Sequence, residues 1–106
     1  MLEVRAHSPT EAAEPISGLL LQHRYRHGLT QYTLADRLAI VSGNYSVTRE
    51  EVSRWERGKR IPGPYWRAWL SLALELPRVE LERAAAAQRH SRRNTRTRPV
   101  LPHHRS

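Results

Sequence analysis

The side chains of this 106-residue chain that could do chemistry are six histidines, ten carboxylates and eighteen lysines or arginines, without one cysteine. Metal binding is the first chemistry to test. Only His23 and His27 stand four apart, the spacing that puts two imidazoles on one helix face. A hydrolytic zinc helix also needs an acid between the two and a third ligand, and neither is in place. His103 and His104 are direct neighbours near the end of the sequence, where two adjacent rings make no rigid site. There is no glycine-rich phosphate loop, no G-x-S-x-G and no thiol nucleophile. We therefore expect no catalytic residue, no metal, no cofactor and no small-molecule ligand, and read His23 and His27 as helix packing.

What remains is charge and hydrogen bonding. The formal net charge is +8, which favours a polyanionic partner. Its distribution matters more than its size. Residues 89–106 carry six arginines and no acid, whereas residues 1–88 carry twelve basic residues against ten acids. Composition thus leaves the folded part nearly balanced, and motifs must decide what it binds. The absence of cysteine fits a reducing compartment. Apolar runs of only a few residues exclude a bilayer-spanning segment, and the opening Met1-Leu2-Glu3-Val4 lacks the basic and apolar regions of a signal peptide. The expected location is the cytoplasm, in association with the nucleoid.

Five short helices would have to position these groups. Residues 1–13 lack periodicity and read as a flexible arm. Pro15, as a first helical residue, opens helix 1 over 15–27, with Ile16, Leu19, Leu20 and His23 at helical spacing and Gly28 as its stop. Thr30 caps helix 2, from about Gln31 to Ile40, although Thr30-x-x-Thr33 lacks the acidic partner of a capping box. Thr48-x-x-Glu51 has that spacing and opens helix 3 over 49–57, which Gly58 ends. Trp66, Trp69, Leu70, Ala73 and Leu74 form the stripe of helix 4, Pro77 breaks it, and Arg78 to about Gln88 reads as helix 5. Beyond Arg89 no apolar periodicity survives, so 90–106 is expected to be a disordered basic tail behind a domain spanning 14–89. No strand pattern of useful length is present.

Across these helices run Leu29-Thr30-Gln31-x-x-Leu34-Ala35-x-x-Leu38, then Val47-Thr48-x-x-x-Val52-Ser53-x-Trp55-Glu56-x-Gly58, then Pro62. This series resembles the Cro/phage-repressor (XRE) helix-turn-helix family over about residues 16–77, and the arginine-rich, lysine-poor composition resembles its actinobacterial members. The resemblance implies an all-α, five-helix, lambda-repressor-like helix-turn-helix domain. It also implies a sequence-specific transcriptional regulator, a repressor by preference, that inserts helix 3 into the major groove of double-stranded DNA. A homodimer on an inverted repeat, with half-sites about 10 bp apart, would follow.

The same resemblance assigns residues. Arg49, Glu50, Ser53 and Arg54 fall on the base-reading face, opposite Val52 and Trp55, where arginine can grip guanine and glutamate can accept from cytosine. In an unrecognised helix these would be ordinary solvated charges. Thr30, Gln31, Thr48, Lys59 and Arg60 match phosphate contacts, though both threonines also suit plain N-capping. Arg24 and Glu56 match the family's interhelical salt bridge, a structural pair. Arg92, Arg93, Arg96 and Arg98 could follow phosphates or enter a minor groove, or could form a solubilising extension.

Two features depart from the family pattern or stay open. Eight residues, Ala39 to Ser46, separate Leu38 from Val47 where about three are usual. Either helix 2 is longer and ends in a surface loop, or Asn44, Tyr45 and Ser46 touch a backbone or a partner. Helix 5, with Val79, Leu81 and Ala84 to Ala87, is the candidate dimer surface, or else packs against helix 1 or 4. A protein-interaction module on the same scaffold, such as an antitoxin or a transcription-machinery adaptor, is the alternative function.

Overall fold

The computed structural model describes residues 14–97 as five α-helices with no strand among them. They are α1 (Ile16–Arg26), α2 (Gln31–Ser42), α3 (Arg49–Glu56), α4 (Pro64–Leu74) and α5 (Arg78–Thr97). None is long and apolar enough to cross a membrane. The expected arm over 1–13 lies outside the described residues.

Helix ends follow from local hydrogen bonding. Pro15 is extended (φ −60°, ψ 149°) and stands just before α1, one position earlier than expected; its carbonyl accepts from the Gly18 and Leu19 amides. No side chain of its own segment caps α1. Gln88, 71 residues away, does so instead: its Oε1 accepts from the Ser17 amide at 3.0 Å. At α2, Thr30 Oγ1 accepts from the Thr33 amide and Thr33 Oγ1 accepts from the Thr30 amide at 2.8 Å, so a reciprocal capping box forms after all. A hydroxyl does there what a carboxylate usually does. Thr48 caps α3 through the Glu51 amide at 3.2 Å, while Glu51 turns its carboxylate toward Arg54 and Arg60.

Helix α2 runs two residues beyond Ile40 before Gly43, at φ +72°, stops it. The longer helix accounts for part of the extra sequence, and a tied loop accounts for the rest. Asn44 accepts from the Ser46 amide at 3.0 Å and donates to the Tyr65 hydroxyl at 3.3 Å. Glu75 sits at φ +54° at the end of α4, where glycine is the usual occupant, and the Leu76 amide reaches back to the Ser71 carbonyl.

Helix α5 overruns its expected end at Gln88, so residues 90–97 are helical rather than the disordered tail expected there. Apolar periodicity does stop, but the alanine run and the arginines after it favour helix, and no glycine or proline interrupts them before Pro99. Residues 98–106 lie outside the described residues.

The core is built from Ile16 and Leu20 of α1, Leu34 and Leu38 of α2, Val52 and Trp55 of α3, Leu70 and Leu74 of α4 and Leu81 of α5. Trp55 stacks obliquely on Trp66, with ring centroids 6.3 Å apart. Leu81, Ala84 and Ala85 are buried, and α5 packs on α1 and α4. Those side chains pack inside the chain, as the alternative of packing against helix 1 or 4 required; of the expected set, Val79 and Ala86 stay exposed.

Several polar groups at the edge of the core are tied to specific partners. Arg67 donates to Glu82 at 2.9 Å and to the Pro62 carbonyl at 2.7 Å, clamping α4, α5 and the α3–α4 connector. The bond from Arg67, joined by Arg78, holds the Glu82 carboxyl below its ordinary range despite partial burial. His27 Nε2 donates to the Leu74 carbonyl at 2.9 Å. Burial, helped by nearby Arg26, pushes the His23 imidazole down.

Candidate nucleic-acid interface

Helix α3 is only eight residues long, and its two buried residues define its orientation. Val52 and Trp55 face inward, three apart, so Arg49, Glu50 and Arg54 stand exposed on the other side with Ser53 half-buried beside them. All four expected base-reading residues share one accessible face. Glu50 and Glu51 in the first turn complement the helix dipole.

A polar network behind α3 fixes its pose. Arg24 of α1 is 7% exposed and donates from Nε and Nη2 to Glu56 at 2.6 and 2.9 Å, while its Nη1 donates to the Leu29 carbonyl at 2.9 Å. The expected Arg24–Glu56 pair is therefore bidentate and almost dry. The Glu56 bond is also what raises the Arg24 guanidinium above its ordinary range, against the opposing effect of burial. Gln31, the first residue of α2, donates Nε2 to Glu56 Oε1 at 2.9 Å and offers its own Oε1 to Arg49 Nη1 at 3.4 Å. A continuous chain of contacts thus leads from α1 through Glu56 and Gln31 to the first residue of α3.

The other expected contacts fall into two groups. Thr30, Gln31 and Thr48 lie at the N-termini of α2 and α3, where unpaired backbone amides gather. Both threonines are exposed, and both use their hydroxyls for N-capping. Lys59 and Arg60 are exposed beyond the other end of α3, and Arg60 and Arg54 flank Glu51 at 3.9 and 3.2 Å. Such surface pairs are worth about 1 kcal/mol or less, so Arg54 can leave Glu51 at small cost.

No protein-family model, curated protein or solved structure matches the chain. Geometry alone must then carry the site.

Of the arginines expected in a tail, Arg92 is committed within the protein: its Nη2 donates to the Gly58 carbonyl at 2.8 Å. Arg93 is exposed on α5, Arg96 lies within the same helix, and Arg98 falls outside the described residues. Three features escaped the sequence reading. Gln31 has an internal partner in Glu56, which a phosphate-contact assignment does not suggest. Glu51 pairs with two arginines. A cleft of about 240 Å³ opens between α2 and the start of α3, with exposed Tyr32 and Tyr45 on its walls and Thr48 and Arg49 at its rim. The tyrosines gave a usable signal, since a large aromatic off the apolar face of α2 and another in a polar loop have no core to enter.

Proposed function

We propose that this chain is a sequence-specific DNA-binding transcriptional regulator of the Cro/phage-repressor kind. In this proposal it is a nucleoid-associated repressor that places α3 in the major groove and binds an inverted repeat as a homodimer. The carrying observation is the exposed Arg49–Glu50–Ser53–Arg54 face on a short helix whose back is pinned by Val52, Trp55 and the buried Arg24–Glu56 pair. A helix about 10–12 Å across fits a major groove of similar width. Rigid support matters because base edges are read by hydrogen bonds whose strength falls steeply with distance and angle. Arg49 and Arg54 supply guanine-gripping forks, Glu50 an acceptor for cytosine, and the capped N-termini of α2 and α3 the amides for flanking phosphates.

Selection of bound sites from random duplex DNA tests this directly. A recovered palindrome supports it, and Arg54→Ala should then cost roughly 1–3 kcal/mol on that site and relax the preference at one position. Recovery of no sequence at all would refute it.

One observation favours the alternative, a protein-interaction module such as an antitoxin or a transcription-machinery adaptor. The outer face of α4 is apolar as well as its inner one, with Tyr65 and Leu72 exposed. Beside them Trp69, Leu76 and Pro77 line an open groove of about 570 Å³. A helix apolar on both faces commonly has a neighbour on each. In a dimer, this face is also where the second copy would sit.

A further inference from the structure

The last turns of α5 extend past the core, yet Arg92 fastens them to the end of α3 through the Gly58 carbonyl. Gly58, at φ +74°, closes α3: the Lys59 amide returns to the Arg54 carbonyl at 2.9 Å. One flank of α5 faces the connector that follows. Glu82, Arg89 and Arg93 stand at i, i+7 and i+11, and Glu82 holds Arg67, which itself holds the Pro62 carbonyl. This brings Arg89, Arg92 and Arg93 to the side where Arg57, Lys59 and Arg60 are exposed. The sequence has no acid from Arg57 to Gly63, nor from Arg83 to Thr97.

We propose that the end of α5 and the α3–α4 connector form a ready-made basic ridge that follows the sugar–phosphate backbone of duplex DNA beside the bases read by α3. Arg92 acts as the latch that holds the ridge against α3. The inference rests on the proposed major-groove role of α3, with which the ridge is continuous through Gly58. Its surface chemistry suits a phosphate backbone rather than a protein. No large apolar side chain is exposed in residues 57–63 or 82–93, whereas such side chains are concentrated on α2, α4 and the loop at Tyr45. Because these turns are already helical, binding carries less ordering entropy than a disordered tail would bring.

The experiment measures affinity across a salt series for the full chain, using a duplex that carries the selected site and a scrambled duplex. Variants are Arg89→Ala with Arg93→Ala, and Arg92→Ala alone, with circular dichroism confirming helix content. Each phosphate contact contributes about 0.9 to the slope of log affinity against log salt, so the double variant should lose about 1.8 on both duplexes alike, with site preference unchanged. Arg92→Ala should also lower the slope, through the freed latch. An unchanged slope in the double variant, binding of polyglutamate in place of duplex, or no duplex binding at all would overturn the ridge. If the wild type binds both duplexes equally and the slope still falls, the ridge stands and the base-reading role of α3 fails. If preference persists with an unchanged slope, the ridge alone fails.

Discussion

Replacing Arg24 by alanine should be among the most damaging single changes in this protein. The Glu56 side chain is 3% exposed, and its two oxygens accept from Arg24 Nε and Nη2, with Gln31 as the one further partner among the described residues. Without the guanidinium a carboxylate stays buried with one amide donor, and the Leu29 carbonyl loses the donor it had from Nη1. Breaking a buried pair from one side typically costs about 3–5 kcal/mol. Domains of this size are stable by roughly 5–15 kcal/mol and lose about 4–8 °C of Tm per kcal/mol, so Tm should fall by roughly 12–40 °C. Urea denaturation followed by tryptophan fluorescence measures the loss, since Trp55 lies in the core one residue from Glu56. The decisive comparison is the double variant Arg24→Met with Glu56→Leu. It removes both charges and should recover at least about 2 kcal/mol of what the single change loses. A single-variant loss under about 1 kcal/mol, or a double variant no more stable than the single, would refute the claim that this pair pins α3.

Two further outcomes are expected. Glu75 occupies a left-handed position that costs a non-glycine residue about 1 kcal/mol, so Glu75→Gly should raise stability by up to that amount and Tm by several degrees in a thermal melt. The Glu82 carboxyl is held below its ordinary 4.5 chiefly by Arg67, so the folded state binds fewer protons than the unfolded state in that range. Its contribution is present above pH 4.5 and is lost as pH falls through the lowered value. Glu82→Gln should therefore be less stable at neutral pH, with a flatter acid limb in chemical denaturation at stepped pH; an acid limb identical to wild type would contradict the assignment.

The helices were legible because local signals agreed with burial. Leu34, Leu38, Val52, Trp55, Leu70 and Leu74 announce inward faces by spacing alone, and Gly28, Gly43 and Gly58 mark three ends at positive φ. The outward face of α3 follows from its inward one. What stayed hidden is tertiary or a matter of propensity. That Gln88 caps α1 and Gln31 serves Glu56 depends on residues 71 and 25 apart meeting in space, for which a single sequence carries no signal. The run of α5 past Gln88 carries no apolar periodicity, and alanine and arginine extend a helix without it. Thr33 departs from the usual capping-box pattern, which names a longer acidic or amide side chain at that position.

The two caps supplied by α5 bear on how the molecule is made. Gln88 satisfies the start of α1 and Arg92 the end of α3, so two earlier helices keep unanswered backbone groups until the fifth is in place. During synthesis from the N-terminus, at about 5–20 residues per second, α1 to α4 are made before these side chains exist. A chain that ends before Gln88 therefore lacks both clasps, and α3 acquires its final hold only as α5 docks. Any fusion or truncation that frays the later turns of α5 acts on the opposite ends of α1 and α3.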